Sequence, residues 1–269
     1  MTTPTTSPSV RKALIPCGGK GTRMLALTGG APKEMIPVAG VPLLHRVMWE
    51  CTASGITDVL VVIAPGKEAI PESLHPLAGT AGMPVRIEFL VQQEARGLAA
   101  AILLGRDFAE EDPLVVALPD NLFLGDAPGV AQVVESYARH RTNVVSVVEI
   151  QAIDAERRGP TPVLPGRLEE DDFFIEEVPD KGSKDARFDT RGAPSAFTNV
   201  GRYVFTPDVW EAITQVEQHL PAGAELDDVP VMQHLLAQGE LIGRKIRGRF
   251  LDVGLPQGYA EANAILAAG

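Results

Sequence analysis

Apolar residues fall in short continuous runs that alternate with stretches of helical spacing through the first half of this chain. Residues 13–16 (ALIP), 58–64 (DVLVVIA), 85–91 (VRIEFLV) and 113–118 (PLVVAL) have the length and β-branched content of buried strands. Between them, Leu44, Val47, Met48 and Cys51 recur at helical spacing over 43–54, with Gly55 as a stop, and 97–108 predicts a second helix. Strands alternating with helices predict right-handed crossovers and a mainly parallel sheet covered on both faces. Sheets of that kind bind ligands beyond the carboxyl ends of their strands. The turn at 16–23, Gln92 and Asp120 all fall at that edge.

The pattern changes from Val144. Residues 144–150 (VVSVVEI) begin a region of shorter predicted strands, followed by a polar, charged stretch at 151–172. Residues 180–195 (DKGSKDARFDTRGAPS) read as a surface loop or hairpin. Strand character returns at 199–205 (NVGRYVF), and 207–218 and 229–238 have helical spacing. No internal repeat, low-complexity tract or linker divides the chain.

Composition narrows the function. Hydrophobic residues make up 45%, enough for a packed core, and a Thr-, Ser- and Pro-rich stretch at 1–12 predicts a loose tail without a signal peptide. No run approaches the ~20 apolar residues that a membrane span needs. Cys17 and Cys51 read as two reduced thiols, which points to the cytoplasm. The five histidines show no zinc-like spacing with Cys or Glu. With 24 basic against 35 acidic residues the net charge is −11, which argues against general nucleic-acid binding. A polyanionic substrate must therefore meet a local cluster of cations.

Residues 14–37, LIPCGGKGTRMLALTGGAPKEMIP, supply one. Gly18, Gly19 and Gly21 let main-chain N–H groups converge on an anion, while Arg23 and Lys33 bring positive charge to it. The spacing is neither a Walker loop, since Gly21 follows Lys20, nor GxGxxG, which would need a glycine at Met24. Taken alone, each of the two cations could instead belong to an ordinary surface salt bridge with an acidic neighbour. Asp120, which follows the apolar run LVVALP, is a hard carboxylate of the kind that suits Mg²⁺, although alone it could cap a helix or a turn.

GGxGTR followed by PKEMxP resembles the signature of the sugar-1-phosphate nucleotidylyltransferases, and PKEMIPV is similar to their bacterial UTP:glucose-1-phosphate uridylyltransferase branch. The resemblance runs from about Ala13 to Tyr259 and is weak between Ile150 and Gly192. It implies a Rossmann-like α/β fold of the nucleotide-diphospho-sugar transferase type, with a mixed, mainly parallel sheet flanked by helices. It also implies a single domain over 13–269, with a nucleotide-binding half (13–150) and a sugar-phosphate-binding half (151–269). The implied reaction is Mg²⁺-dependent transfer of a nucleotidyl group from a nucleoside triphosphate to a sugar 1-phosphate, releasing pyrophosphate.

Carried over residue by residue, the resemblance makes Arg23 and Lys33 the catalytic cations and Asp120, in LPDNLF, and Asp252, in RFLDVGLPQGY, the metal ligands. Gly18, Gly19, Gly21 and Thr22 would take the nucleoside and its phosphates. Gln92 would read the base, with Gln93 as the alternative register, and Gly97 would permit close approach. Asn121 and Glu177 fall on the sugar-phosphate side, and Glu225 lies in an acidic segment that is conformationally important in the family. The family usually has Glu-Lys-Pro where this chain reads Glu177-Val178-Pro179, so one phosphate-neutralising lysine is missing. Either Lys181, Lys184 or Arg202 replaces it, or the acceptor is an altered sugar or a sugar-like cyclitol phosphate. A homologue that senses a nucleotide or NDP-sugar without turnover is the rival reading. By analogy the family implies a homo-oligomer, a dimer or tetramer.

Overall fold

The apolar run that opens the chain becomes an interior strand. The computed structural model describes residues 10–151, 166–180, 192 and 194–268. Its strands are β1 (Lys12–Cys17), the dipeptide pair β2 (Pro37–Val38) and β3 (Val41–Pro42), β4 (Asp58–Ile63), β5 (Arg86–Val91), β6 (Leu114–Ala117), β7 (Asn121–Leu124), β8 (Asn143–Gln151), β9 (Gly166–Glu169), β10 (Asp172–Phe174), β11 (Ser195–Phe205), β12 (Leu241–Lys245) and β13 (Arg249–Asp252). Nine of them form one sheet in the order β5-β4-β1-β6-β11-β8-β12-β10-β9. Following the pairings across it, seven strands run one way, with β10 and β11 opposed. The sheet is therefore mixed and mainly parallel, as the alternation of runs predicts.

Burial explains why the runs are continuous. Residues 59–63 of β4 and all of β6 are buried, because helices cover both faces of the sheet. One apolar cluster joins Ile15, Val61 and Val115 to Leu44, Val47, Met48 and Cys51 of the helix Leu43–Ala53. The other joins Leu14, Leu60 and Val116 to Ile213 of the helix Asp208–Gln218 and Leu235 of Asp228–Ala237.

Two expectations need correction. The helix predicted over 97–108 is two short ones, Leu98–Leu103 and Arg106–Ala109. They are separated at Gly105, where a Cβ would stand 2.5 Å from Leu14 Cδ1, so close packing on β1 interrupts the helix. The strands after Val144 are not uniformly shorter: β9, β10, β12 and β13 have 4, 3, 5 and 4 residues, but β8 has 9 and β11 has 11. Their far ends, from Val148 to Gln151 and from Ser195 to Thr198, pair with each other beyond the reach of β6, so they extend past the edge where the loops gather. The loop expected at 180–195 lies largely outside the described residues.

A third apolar cluster sits beneath those loops. Met24, Ile36 and Val38 pack on Leu122, Leu251 and Val253 and on Ala262 of the final helix, Pro256–Ala268. That helix also fastens the 32–39 segment directly: the Tyr259 hydroxyl donates to Pro37 O at 2.9 Å, and Ala39 N donates to Asn263 Oδ1 at 2.8 Å. No described helix is long and apolar enough to cross a membrane.

Candidate active site

Loops leaving β1, β4, β5 and β6 come together at one edge of the sheet, as the position of the three sequence signals predicts. A cavity of about 360 Å³ is lined by the Gly21–Arg23 turn, Lys33, Asp120 and Asn121, and Asp252 and Gly254, among others. Thr22 and Arg23 are exposed in the short turn Thr22–Met24, which follows Gly21 at a φ of 61°. Met24 is buried in the cluster below, so the turn is anchored while its two polar side chains stay accessible.

The two aspartates meet through a short antiparallel ladder. β7 begins at Asn121 and pairs with β13, with Asn121 opposite Asp252, so the residue before β7 lies beside the residue that ends β13. Val253 N donates to Asp120 O at 2.8 Å and tightens that corner. A Cβ on Gly254 would stand 2.9 Å from Asp120 Oδ2 and 3.2 Å from Asp252 Oδ1, so both carboxylates border one small space that only a glycine leaves open. Among the described residues no group of three or more His, Cys, Asp or Glu side chains is placed to hold a metal. Two carboxylates fit a Mg²⁺ ion that completes its shell with phosphate oxygens and water.

The Lys33 ammonium contacts Asp120 Oδ2 directly. Burial disfavours its charge, but the Asp120 carboxylate more than compensates, and its pKa is raised above the ordinary 10.5. Lys33 is thus a fixed cation at neutral pH.

A second lysine, which the sequence reading did not single out, holds the glycine turn. Lys67 donates to Cys17 O at 2.7 Å, to Gly19 O at 2.8 Å, and to both oxygens of Glu34 at 2.9 and 3.0 Å. Glu34, the Glu of PKEM, is 1% exposed. Lys67 therefore ties the turn after β1 to the segment that carries Lys33. A basic residue in the loop after a core strand, APGK, was the only signal for it.

On the other side of the turn a second cavity, of about 400 Å³, is lined by Gly18, Gly19, Gln92, Gly97, Asp120 and Glu225, among others. Gln92 borders it, and Gln93 is not among its lining residues. The Gln92 side chain lies over the turn, for a Cβ on Gly18 would be 2.7 Å from Gln92 Oε1. Gly97 has a φ of 110°, and a Cβ there would come within 2.4 Å of Leu226 O. Its freedom is thus required by the Leu226 main chain, which brings Glu225 to the cavity.

The sugar-phosphate candidates are not brought together in the same way. Arg202 is fully buried and all five of its N–H groups are engaged. Nε and NH2 grip Glu50 at 3.0 and 2.7 Å, NH1 reaches Leu118 O and Gly201 O at 2.8 and 3.0 Å, and NH2 reaches Asn121 O at 2.8 Å. It has no donor left for an acceptor phosphate, so the expectation that Arg202 replaces the missing lysine is corrected. Val178 is 5% exposed and belongs to the apolar cluster under β11, with its carbonyl accepting from Gln233 Nε2 at 2.9 Å. Glu177 is half-buried beside it and lines neither cavity. Lys181 and Lys184 lie outside the described residues.

Comparison with known proteins gives the family and the fold. Residues 12–269 match the family described as nucleotidyl transferase. A Bacillus subtilis protein provisionally named a UTP–glucose-1-phosphate uridylyltransferase is 31% identical, with 94% of this chain and 95% of that protein covered. The Pseudomonas aeruginosa UTP–glucose-1-phosphate uridylyltransferase is 29% identical over 94% of each chain. Among solved structures, a UDP-glucose pyrophosphorylase complexed with UDP-glucose superposes with a TM-score of 0.81 at 24% identity, covering 96% of this chain and 99% of that one, a likeness of fold.

Proposed function

The chain belongs to the nucleotidyl transferase family, and on that premise we propose that it transfers a uridylyl group from UTP to a sugar 1-phosphate, giving a UDP-sugar and pyrophosphate. The observation that carries this reading is the meeting of Asp120 and Asp252 at Gly254, beside Lys33 and the Gly21–Arg23 turn. UTP and glucose 1-phosphate are the substrates in the names of the two uridylyltransferase relatives, and this chain spans nearly their full length.

In the reaction an oxygen of the sugar phosphate attacks the α-phosphorus of the triphosphate in line, a new P–O bond forms, and the bond to the β-phosphate oxygen breaks. The attacking oxygen is already anionic, so no general base is needed. Bound by Asp120 and Asp252, Mg²⁺ would supply positive charge at the α-phosphate. Lys33, kept charged by Asp120, stabilises the negative charge that builds on the phosphates. Arg23, accessible at the mouth of the cavity, balances the departing pyrophosphate. The N–H groups around Gly18, Gly19 and Gly21 hold the triphosphate, and Gln92, which can both donate and accept, pairs with the base edge in the 400 Å³ cavity.

On the acceptor side, Val178 contributes no charge. The recognition of the sugar phosphate therefore falls to Glu177, Asn121 and either Lys181 or Lys184, with a sugar-like cyclitol phosphate as an acceptor of the same class. We place the enzyme in the cytoplasm as a homo-oligomer on the analogy of its family. The test is Mg²⁺-dependent pyrophosphate release from each of UTP, dTTP, GTP, CTP and ATP against a panel of sugar and cyclitol 1-phosphates. Release with UTP and one acceptor is the expected result. Nucleotide binding with no release across the panel would replace this reading with that of a sensor.

A further inference from the structure

We infer that Arg202 and Glu50 form a positioning pair that sets the affinity of the site for its metal, without touching metal or substrate. This rests on the reading of Asp120 and Asp252 as the metal ligands. Two carboxylates that border one small space repel each other, and although Lys33 offsets part of that repulsion, the loop that carries Asp120 must be held in place before a metal arrives. Arg202 holds it from both sides: NH1 binds Leu118 O and NH2 binds Asn121 O, each at 2.8 Å, and Asp120 lies between those two carbonyls. The guanidinium is itself fixed. Glu50 grips it at two points, Phe123 covers it with its ring centroid 4.8 Å away, and Glu50 Oε1 also accepts from Val130 N at 2.8 Å.

Glu50 gives the device a second function. It lies on the helix Leu43–Ala53, which starts where the segment bearing Lys33 ends and is joined to it by Leu43 N donating to Ile36 O at 3.0 Å. One guanidinium therefore couples the backbone of Asp120 to the element that follows Lys33. A lysine at position 202 would keep the charge, but a single ammonium cannot serve two carbonyls and a carboxylate fork together.

The test measures UTP binding by calorimetry, with Mn²⁺ and with EDTA, on folded protein in the absence of acceptor. The ratio of the two dissociation constants is the metal's contribution to binding. Arg202→Lys is expected to lower that ratio by about tenfold, the lower end of the range found for residues that orient metal ligands, and Glu50→Gln by about threefold, less because the guanidinium keeps its carbonyl partners. The EDTA value should stay within about twofold of wild type for both. Should Arg202→Lys fail to fold, Glu50→Gln, which keeps shape and one acceptor oxygen, decides alone. A lower melting temperature with the ratio intact would mean that the pair only supports the fold, and the inference would be overturned. Asp120→Asn separates the two levels of the argument. If it abolishes the ratio while the Arg202 and Glu50 variants retain it, only the positioning role fails; if it retains the ratio, or wild type shows none, the metal-pair reading fails and this inference with it.

Discussion

Lys33 and Asp120 form an ion pair at the centre of the site, between two residues read as partners of different groups: a phosphate for the lysine and a metal for the aspartate. Asp120 Oδ2 is both the oxygen that Lys33 contacts and the one that faces the space at Gly254. On the proposed reading of Asp120 as a metal ligand, the ammonium and a divalent ion would compete for one carboxylate, and a bound metal would leave Lys33 to the triphosphate. The pair keeps two like-charged aspartates tolerable in the unloaded protein.

Removing the lysine should therefore separate metal binding from turnover. Lys33→Met is expected to bind free Mn²⁺ a few-fold more tightly, because Asp120 loses its internal cation, while kcat for pyrophosphate release falls by roughly 100-fold or more. Electron paramagnetic resonance titration of Mn²⁺ without nucleotide checks the first and a coupled pyrophosphate assay the second. Unchanged Mn²⁺ affinity would show that the two cations do not share the carboxylate.

Asp252→Asn should act on turnover with little effect on the fold. Asp252 Oδ1 accepts from Gly254 N at 3.1 Å, and an asparagine oxygen keeps that bond. The loss is one negative charge facing the metal, for which a fall in kcat of about 100- to 1,000-fold is expected. A melting temperature near that of wild type, together with full activity at saturating Mg²⁺, would remove Asp252 from the site.

What could be read in the sequence follows from how local each signal is. The glycine turn with its cations and the apolar strand that leads to Asp120 are each encoded within a few residues, by runs and turn chemistry that mean the same thing in any context, and these also put Gln92 at the sheet edge, though its role came from the resemblance. Asp252 was placed only through the family resemblance, since its meeting with Asp120 depends on a ladder, β7 to β13, too short to show a pattern. Lys67 and Arg202 were missed or misread because their partners are main-chain carbonyls and acids distant in sequence, which no spacing records. An arginine in a strand reads as a free cation until its five donors are counted. Val178 was read as a missing charge, and only burial shows that the position is part of a core.

That burial changes what the most obvious repair can do. Val178→Lys would restore the family tripeptide, but it would place an ammonium among Ile175, Tyr203 and Met232 at a position 5% exposed. A destabilisation on the order of 3 kcal/mol is expected. Urea unfolding at constant m measures it, and a loss below about 1 kcal/mol with a lower KM for the acceptor would show that the lysine escapes toward the cleft.

Lys67 offers a parallel case in which charge and architecture can be separated. Lys67→Met leaves Glu34 buried without its partner and should cost about 3 kcal/mol. Adding Glu34→Gln removes the unpaired charge and should recover much of that stability. The KM for the nucleotide should nevertheless stay raised about fivefold in the double variant, because the Cys17 and Gly19 carbonyls are no longer held and the turn loses its set shape. Recovery of both quantities together would limit Lys67 to neutralising Glu34.

The thiols give a pH dependence whose direction is fixed by burial. Burial, with the nearby Glu50 carboxylate adding to it and Arg202 opposing it, pushes the Cys51 thiol up to about 12 from its ordinary 9.0. Burial likewise raises Cys17 well above the ordinary range. The folded chain thus binds these protons more tightly than the unfolded chain. The associated stability is complete below about pH 9 and is lost as pH rises toward 12, by about 2 kcal/mol for Cys51 at pH 10.5. Urea unfolding at pH 8 and pH 10.5 should show a larger loss for wild type than for Cys51→Ala, which has no thiol to titrate in either state. At pH 8 both thiols should react with iodoacetamide only as fast as the protein opens, so labelling counted by mass spectrometry should follow unfolding across a urea series. Rapid native labelling of Cys51, or equal losses in the two proteins, would mean that the thiol beside Arg202 and Glu50 is reached by water, and that the pair is not sealed in the interior.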